Sequence, residues 1–344
     1  MKIIVTHASP DLDAITSVWL IKKFLPGWEE AELKFVPAGE RIRSSVLSSQ
    51  FSDSSRSVDQ STGKPTTEKP VSEDRQQKTD NRNPIEKIGE DEVIHVDTGL
   101  GPLDHHQTAS DAVCAASLTW EYIKKIQNSK FKIQNLESES ERVKDQKEAI
   151  ERMVKVVVDI DHFKEVFWQD PLADYHEFSL LEILDGLKLQ KPNQDSYYVD
   201  FCMQNLDAIL HGFENRIWAE KEIAQNGTEF KTRFGKGIGF ETINDSVIKL
   251  AQKMGYAVVV RKDPRKGYVR IKARPSETRS SKLEVRNEDI NLTLTYEKLR
   301  KMDPGATWFL HISKKMLLNG TVKNPKMKPT RLSLEEIIKV LENI

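Results

Sequence analysis

The sequence is short of cysteine. Among its 344 residues there are two, Cys114 and Cys202, far apart. They form neither a CxxC pair nor a disulfide framework, so a reducing, cytoplasmic setting is expected. No apolar run approaches the roughly 18 residues of a membrane span, so no membrane partner is expected. Met1 leads directly into a strand that carries motif chemistry, which argues against a signal peptide. Net charge is almost absent, at −1 from 52 basic and 53 acidic residues. Whole-chain electrostatics therefore favour no partner, and a polyanion would have to meet a local patch. Hydrophobic residues are also sparse, 38% against 31% charged, with a mean hydropathy of −0.55. Part of the chain is thus expected not to pack. No internal repeat is seen.

The unpacked part has a clear position. Ser44–Pro84 is Ser-rich, with Phe51 its one aromatic residue, and reads as a disordered insertion. Before it, Lys2–His7 (KIIVTH) reads as a buried parallel strand. A helix follows from Asp11 or Asp13 to about Leu25, stopped by Pro26-Gly27, and Leu33–Pro37 is a second strand. After the insertion, Glu92–Asp97 reads as a third strand. Helices follow over about Asp111–Gln127, from about Gln146 to Trp168, over Tyr175–Leu187 and over Ser196–Gln225. Val156–Val158 also fits a short strand. The β-α-β opening predicts an α/β fold with a parallel sheet. Composition changes after Asn226-Gly227, so the expected domains are 1–225 and 226–344. The second reads as a smaller α+β domain. Its strands fall at Glu229–Phe234, Tyr256–Arg261, Tyr268–Ala273 and Thr307–His311, and its helices at Asn244–Gly255 and Ser333–Asn343.

Four places set hard ligands near strand or helix ends: His7-x-x-x-Asp11-x-Asp13, Asp97, Asp104-His105-His106 and Asp159-x-Asp161. In a parallel α/β sheet the carboxyl ends of the strands open onto one crevice. His7 and Asp97 both end strands and should face it together. The Gly99–Pro102 turn would fold the DHH triplet back over the same edge, since Gly99 and Gly101 allow backbone angles that larger residues resist. Carboxylates and imidazoles without thiolate suit Mn²⁺, Mg²⁺, Fe²⁺ or Zn²⁺. So many ligands fit two divalent ions about 3.5–4 Å apart with one Asp between them. Four carboxylates, Asp11, Asp13, Asp97 and Asp161, would balance the four charges of such a pair. The pair makes water reactive enough to attack phosphorus in line. His106, if free of metal, can hydrogen-bond a phosphate oxygen or protonate a leaving group. The candidate catalytic residues are Asp97, Asp104 and His106.

Each residue alone has a plainer reading. A strand-end His is usually structural, Asp11 is a natural helix N-cap, and Asp97 before Thr-Gly suits a turn. The joint order carries the metal-site reading. Residues two apart on a helix do not share a face, so one of Asp159 and Asp161 serves, and Asp161 is favoured. His162, His176 and His211 read as surface or packing residues, His95 as structural or supporting, and Cys114 as core.

These residues resemble the DHH phosphoesterase superfamily: HASPDLDA looks like its first motif, HVDTG its second and DHHQ its third. The resemblance implies metal ligands at His7, Asp11, Asp13, Asp97, His105 and an Asp of the fourth motif, with His106 on phosphate. The closer resemblance is to the melanocyte-proliferating-gene family of metal-dependent 3′–5′ RNA exonucleases. There DHHQ, VDIDHF and PGATWFLHISKKMLLNG match motifs in order. Four departures concern the substrate more than the metal site: the first motif has the HxxPDxDA form of broader DHH enzymes, Asp161 is followed by His162-Phe163 rather than Asn-Gly, Ser313-Lys314-Lys315 stands where the relatives have Ser-Gly-Phe, and the GGGH-like motif of the common DHH-associated domain is lacking.

In the second domain, Lys314, Lys315, Lys323, Lys326, Lys328 and Arg331 make a cationic stretch suited to a polyanion. His311, Lys314, Lys315, Asn319 and Lys323 are candidate substrate contacts beside His106. The plain alternative is a solvated basic loop before a helix capped by Ser333 and Glu336. Arg261, Lys262, Arg265 and Lys266 read as a basic hairpin turn. The sequence thus points to a metal-dependent phosphodiester hydrolase of RNA or short oligonucleotides, with two metal ions, Mn²⁺ foremost. Two alternatives stay open: a phosphohydrolase of a small molecule such as pyrophosphate or a cyclic dinucleotide, and a non-catalytic nucleic-acid-binding or regulatory module. A homodimer is also left open.

Overall fold

A computed structural model describes residues 1–42, 83–133, 140–275, 289–321 and 323–343. The expected insertion Ser44–Pro84 lies outside these residues, apart from Asn83 and Pro84. The architecture is mixed α/β, with two mixed sheets. The chain divides into two compact units, Met1–Phe213 and Glu214–Ile344. Among the described residues no helix is long and apolar enough to cross a membrane.

The first unit runs β1 (Lys2–His7), α1 (Leu12–Phe24), β2 (Glu32–Val36), β3 (Ile85–Ile88), β4 (Asp91–His95), α2 (Ala115–Ile133) and α3 (Glu141–Asp161). Two 3₁₀ turns follow at Lys164–Phe167 and Asp174–Phe178, then α4 (Leu180–Gln190) and α5 (Asp195–Asn226). Its sheet has the order β2-β1-β4-β3. β1 pairs in parallel with both β2 and β4, and β3 is an antiparallel edge. The expected parallel sheet is therefore mixed. β3 is the strand that sequence reading missed, because four residues of IEKI show too little alternation to stand out. β1 has four consecutive buried residues, as expected of a strand covered on both faces. α1 is buried from Leu12 to Ile21. Ile15, Val18, Trp19 and Leu20 within it are almost wholly inaccessible, and each contributes about 1.5–3 kcal/mol by leaving water. Val156–Val158 lies inside α3, so its strand alternative falls. The β-branched run satisfies the buried face of a helix there, with Val157 and Val158 buried and Val156 outward.

The second unit takes the last turns of α5, then β5 (Thr228–Thr232), β6 (Gly235–Glu241), α6 (Ser246–Lys253), β7 (Val258–Lys262), β8 (Val269–Ala273), α7 (Thr293–Met302), β9 (Trp308–Leu310), β10 (Met316–Asn319) and α8 (Leu334–Leu341). Its six strands run in the order β5-β6-β7-β8-β10-β9, with β6 and β7 the parallel pair. The division between units falls inside α5, earlier than the Asn226-Gly227 break read from composition. The reason is packing: Ala219 and Ile223 of α5 join Ile238, Phe240, Val247 and Val259 in one apolar cluster. β6 was missed because three of the seven residues in its sequence, GKGIGFE, are glycine. A Cβ at Gly237 would come within 2.3 Å of the Phe230 ring, so glycine is what lets that ring lie across the strand. α8 carries the expected capping box between Ser333 and Glu336.

Candidate metal centre

Parallel pairing sets the site. Val5 of β1 sits opposite His95 of β4, so the chain leaves both strands at one edge of the sheet. β1 ends at His7. Ser9 then turns through the left-handed region, φ 53°, and Asp11 caps α1 by accepting the Ala14 N–H at 2.9 Å. The cap uses Oδ1, and Oδ2 faces His7 Nε2 at 3.8 Å. Both readings of Asp11 therefore hold at once, one on each oxygen. β4 stops at His95, so Asp97 lies two residues past the strand rather than at its last position. Asp97 adopts φ 52°, a conformation that costs a non-glycine residue about 1–2 kcal/mol. Such cost is tolerated where the surroundings fix the residue. Here the Asp97 N–H donates to Leu103 O at 3.0 Å.

The turn that follows is fastened from several sides. Gly99, φ 76°, lies so close to Arg41 that a Cβ would stand 2.5 Å from the Arg41 Cγ. The Arg41 guanidinium donates to Gly99 O at 2.8 Å. Asp104 is buried and fully occupied. Its Oδ2 accepts the Leu100 N–H at 2.7 Å, and its Oδ1 accepts both the backbone N–H and Nδ1 of His106. Asp104 thus positions His106 and the turn through both of its oxygens. His106 is mostly exposed and gives Nδ1 to Asp104, which leaves its Nε2 uncommitted.

Two groups of three possible ligands result: His7, Asp11 and Asp97, and Asp13, His105 and Asp161. In each group the ligand atoms lie within 4.8 Å of one another. Asp97 touches both. Its Oδ2 is 3.2 Å from His7 Nε2 and its Oδ1 is 3.4 Å from His105 Nδ1. His105 Nε2 in turn lies 3.1 Å from Asp161 Oδ2. A further grouping adds Asp104 and His106 to Asp97 and His105.

Asp13 has a second task that sequence reading missed. Its two carboxylate oxygens accept the N–H groups of Ala115 and Ala116, each at 2.7 Å. These are the free donors at the start of α2, so Asp13 caps a helix about a hundred residues away. The helix begins at Ala115 rather than near Asp111, because this is where the donors find their acceptor. No local signal in the sequence marks a cap supplied from another segment.

The electrostatics are those of crowded carboxylates that share the two imidazoles His7 and His105 as their counter-charge. Asp13 is fully enclosed; burial, then the charges of Asp97 and Asp161, push its carboxyl well above the ordinary range. Burial alone would lower His105, but Asp161 and Asp97 raise it to about 10. Burial likewise opposes His7, which Asp97 and the Ala8 carbonyl raise to about 9. Burial would raise Asp97, yet His105 and His7 hold it below the usual carboxylate range. Asp161 ends α3, where the helix dipole is itself negative. Buried atoms also lack partners: Asp97 Oδ1, His105 Nδ1 and Asp161 Oδ2 make no hydrogen bond among the described residues. Buried polar atoms are rarely left so, and all three belong to the candidate ligands. The residues are therefore of the kind that could hold a metal ion. The tautomer of His7 agrees: Nδ1 lies 2.9 Å from Ala8 O, so its proton goes to that carbonyl and Nε2 keeps a lone pair for a metal.

Neighbouring residues sort as follows. Asp159 pairs with Lys155 on the outer face of α3, while Asp161 joins the cluster. His162, read from sequence as surface or packing, stands with its ring edge-on to His105 and its Nε2 at 2.9 Å from Val113 O. It braces the loop before α2 against the cluster. His95 is structural: its Nε2 accepts the Ile42 N–H at 3.1 Å, and burial and then Arg41 lower it to about 4. Burial and the Asp13 charge push the Cys114 thiol far up, so it supplies no thiolate ligand.

In the second unit, the cationic stretch is divided. β10 separates Lys314 and Lys315 from Lys323, Lys326, Lys328 and Arg331, placing them at opposite ends of the sheet. His311 sits at the first end, with Nδ1 2.8 Å from Ser313 Oγ. Lys314 is exposed, with φ 57°, Lys315 pairs with Asp289, and Lys323 is exposed at the other end. Asn319 is not a substrate contact. It is wholly buried, donates to Thr307 O and Lys328 O, and accepts the Thr330 N–H at 2.6 Å. Trp308 points inward and Phe309 is half exposed.

No family model matches the chain, and no curated protein matches it. Among solved structures, the crystal structure of an uncharacterized protein from Helicobacter pylori G27 is aligned over 100% of both chains, at 13% identity and a TM-score of 0.22. A likeness at that level says nothing of fold or function.

Proposed function

We propose that this chain is a metal-dependent phosphoesterase of the DHH type, hydrolysing phosphodiester bonds of RNA or short oligonucleotides. The observation that carries the reading is the pair of three-residue ligand groups, with Asp97 of the first facing His105 of the second, in which the buried carboxylates have only one another and two imidazoles for neighbours. His7, Asp11 and Asp97 would hold one divalent ion, and Asp13, His105 and Asp161 the other, with Asp97 serving both. Manganese is the first choice for such oxygen and imidazole donors, with magnesium, iron(II) and zinc as alternatives. When bound, two such ions supply an activated water and neutralise phosphate oxygens.

The chain's own groups account for the rest. The Ala115 and Ala116 N–H groups fix the Asp13 carboxylate in one orientation. Asp104 holds His106 through Nδ1, so that Nε2 is the atom offered to a phosphate oxygen or to the leaving oxygen. In the second unit, His311 and Lys314 lie at one end of the sheet and Lys323 at the other, and each is of a type that contacts phosphate. The same site would serve hydrolysis of a small phosphorylated molecule, and products tell the two apart.

The test is hydrolysis with added Mn²⁺ of pyrophosphate, cyclic dinucleotides and a 5-mer RNA, with Asp97→Ala as control. Release of nucleoside monophosphates from RNA, lost in Asp97→Ala, is the expected result. Turnover of small substrates alone would move the proposal to the small-molecule class. Absence of metal-dependent turnover on all three would favour a binding module.

A further inference from the structure

The second unit contains a cavity that the reading above does not use. Its volume is about 510 Å³, within the span of small-ligand pockets, and Lys266, Gly267, Asp303, Gly305 and residues 328–331 line it. Two basic stretches that are about sixty residues apart in sequence meet here. One is the β7–β8 turn and the other is the segment after β10. The register explains the meeting: Val269 of β8 pairs with Asn319 of β10, so the turn before one strand lies beside the chain leaving the other.

Both walls are rigidly built. The buried Asp263 carboxylate accepts the N–H groups of Arg265 and Lys266, at 2.8 and 3.0 Å, and so shapes the turn. Gly267, φ 67°, packs so tightly that a Cβ would lie 3.3 Å from Thr330 O. On the facing wall, Asn319 holds the backbone at Lys328 and Thr330. Asp303 accepts the Thr330 hydroxyl at 2.7 Å and the Arg331 N–H at 2.9 Å. The pinned backbone leaves the Lys266, Lys328 and Arg331 heads exposed at the cavity. None of the three side chains forms a hydrogen bond or a close ion pair with a described residue; Lys266 lies over the Tyr268 ring at 5.8 Å. The one lining carboxylate, Asp303, is already engaged by backbone and hydroxyl donors.

Three cations of two types facing one concave wall, against the single carboxylate of Asp303, attract a compact, multiply charged anion. Arginine in particular offers a planar fork that matches phosphate. We infer that this cavity binds a small phosphate-bearing anion, no larger than a nucleotide, at a site separate from the metal ligands. The Asn319 end of the sheet, rather than the whole basic stretch, is the recognition surface.

Calorimetric titration of the metal-stripped full chain with inorganic pyrophosphate tests this. The cavity variants and Asp97→Ala together assign any binding to the cavity or to the metal ligands. Pyrophosphate should bind, and Lys266→Ala and Arg331→Ala should each weaken it by about tenfold, the loss expected when one charge-assisted contact is removed. Asp97→Ala should leave it unchanged. The two cavity side chains make no structural bond, so circular dichroism should show both variants folded, and Arg331→Lys should restore part of the affinity. The inference is overturned if pyrophosphate does not bind, if the variants bind as tightly as the parent, or if Asp97→Ala abolishes binding. It is also overturned if a 5-mer RNA binds there and pyrophosphate does not. None of these results bears on metal-dependent hydrolysis.

Discussion

His7 Nε2 stands 3.2 Å from Asp97 Oδ2, although ninety residues separate the two in sequence. Parallel pairing of β1 with β4 brings them together, and the left-handed turn at Asp97 aims its carboxylate back across the sheet edge. Its other oxygen faces His105. One side chain thereby links two halves of a cluster whose acids repel one another unless cations lie between them.

Asp13 should matter to folding as well as to metal. Removing its carboxylate leaves the buried N–H groups of Ala115 and Ala116 unpaired, and an unpaired buried donor costs about 1–3 kcal/mol. Asp161 caps no helix, and its removal also relieves charge repulsion. In urea unfolding of the metal-free protein, Asp13→Ala should therefore be less stable than Asp161→Ala by about 1–3 kcal/mol. Equal midpoints and slopes would remove the helix-cap role.

Stability and metal affinity should move oppositely with pH. His7 and His105 are raised to about 9 and about 10 from an ordinary 6.5. A group raised in the folded state contributes stability that is complete below its unfolded value and lost as pH rises through its folded value. The metal-free protein should thus lose melting temperature between pH 7 and pH 10. Metal ligation needs both imidazoles neutral, so Mn²⁺ should displace protons at pH 7 and bind more tightly as pH rises towards 9. Calorimetry in two buffers of different ionisation enthalpy measures that release. No proton release at pH 7 would rule out both imidazoles as ligands.

His106 and Asp104 should act on turnover without acting on metal content. The Asp104 carboxylate fixes the His106 ring, and a positioned acid or hydrogen-bond donor contributes about 10²–10⁴ in rate. His106→Ala should lower kcat within that span while equilibrium dialysis finds metal bound as in the parent. Asp104→Asn should lower it less, since one acceptor oxygen survives. Loss of metal from His106→Ala would make His106 a ligand instead.

Much of the site is visible in the sequence because each ligand stands where an element ends. His7 closes β1, Asp11 and Asp13 open α1, Asp161 closes α3, and Asp97 follows β4 by two residues. Parallel pairing then decides which ends meet. Helical spacing said only that one of Asp159 and Asp161 would face the other ligands, and Asp161 is the one that lies beside His105. What the sequence hid is supplied from a distance. The Asp13 cap on α2 joins segments about a hundred residues apart, and the His162 ring meets His105 only after α3 is placed. Asn319 looked like a polar contact in a basic stretch, yet it is the buried clamp between β10 and the Lys328–Thr330 segment. The division of that stretch by β10 was hidden for the same reason: a short strand, MLLN, carries too little pattern to show that the chain crosses a sheet.

Counting manganese tests the shared carboxylate most directly. Equilibrium dialysis of the full chain against Mn²⁺, with the bound metal measured by elemental analysis, should give two ions per chain for the parent. Asp97→Asn, nearly the same in shape but without the charge, should hold fewer than one at the same free metal concentration, because the carboxylate that belongs to one group and faces the other is lost. Two ions retained by Asp97→Asn, or none bound by a folded parent chain, would contradict a cluster organised around Asp97.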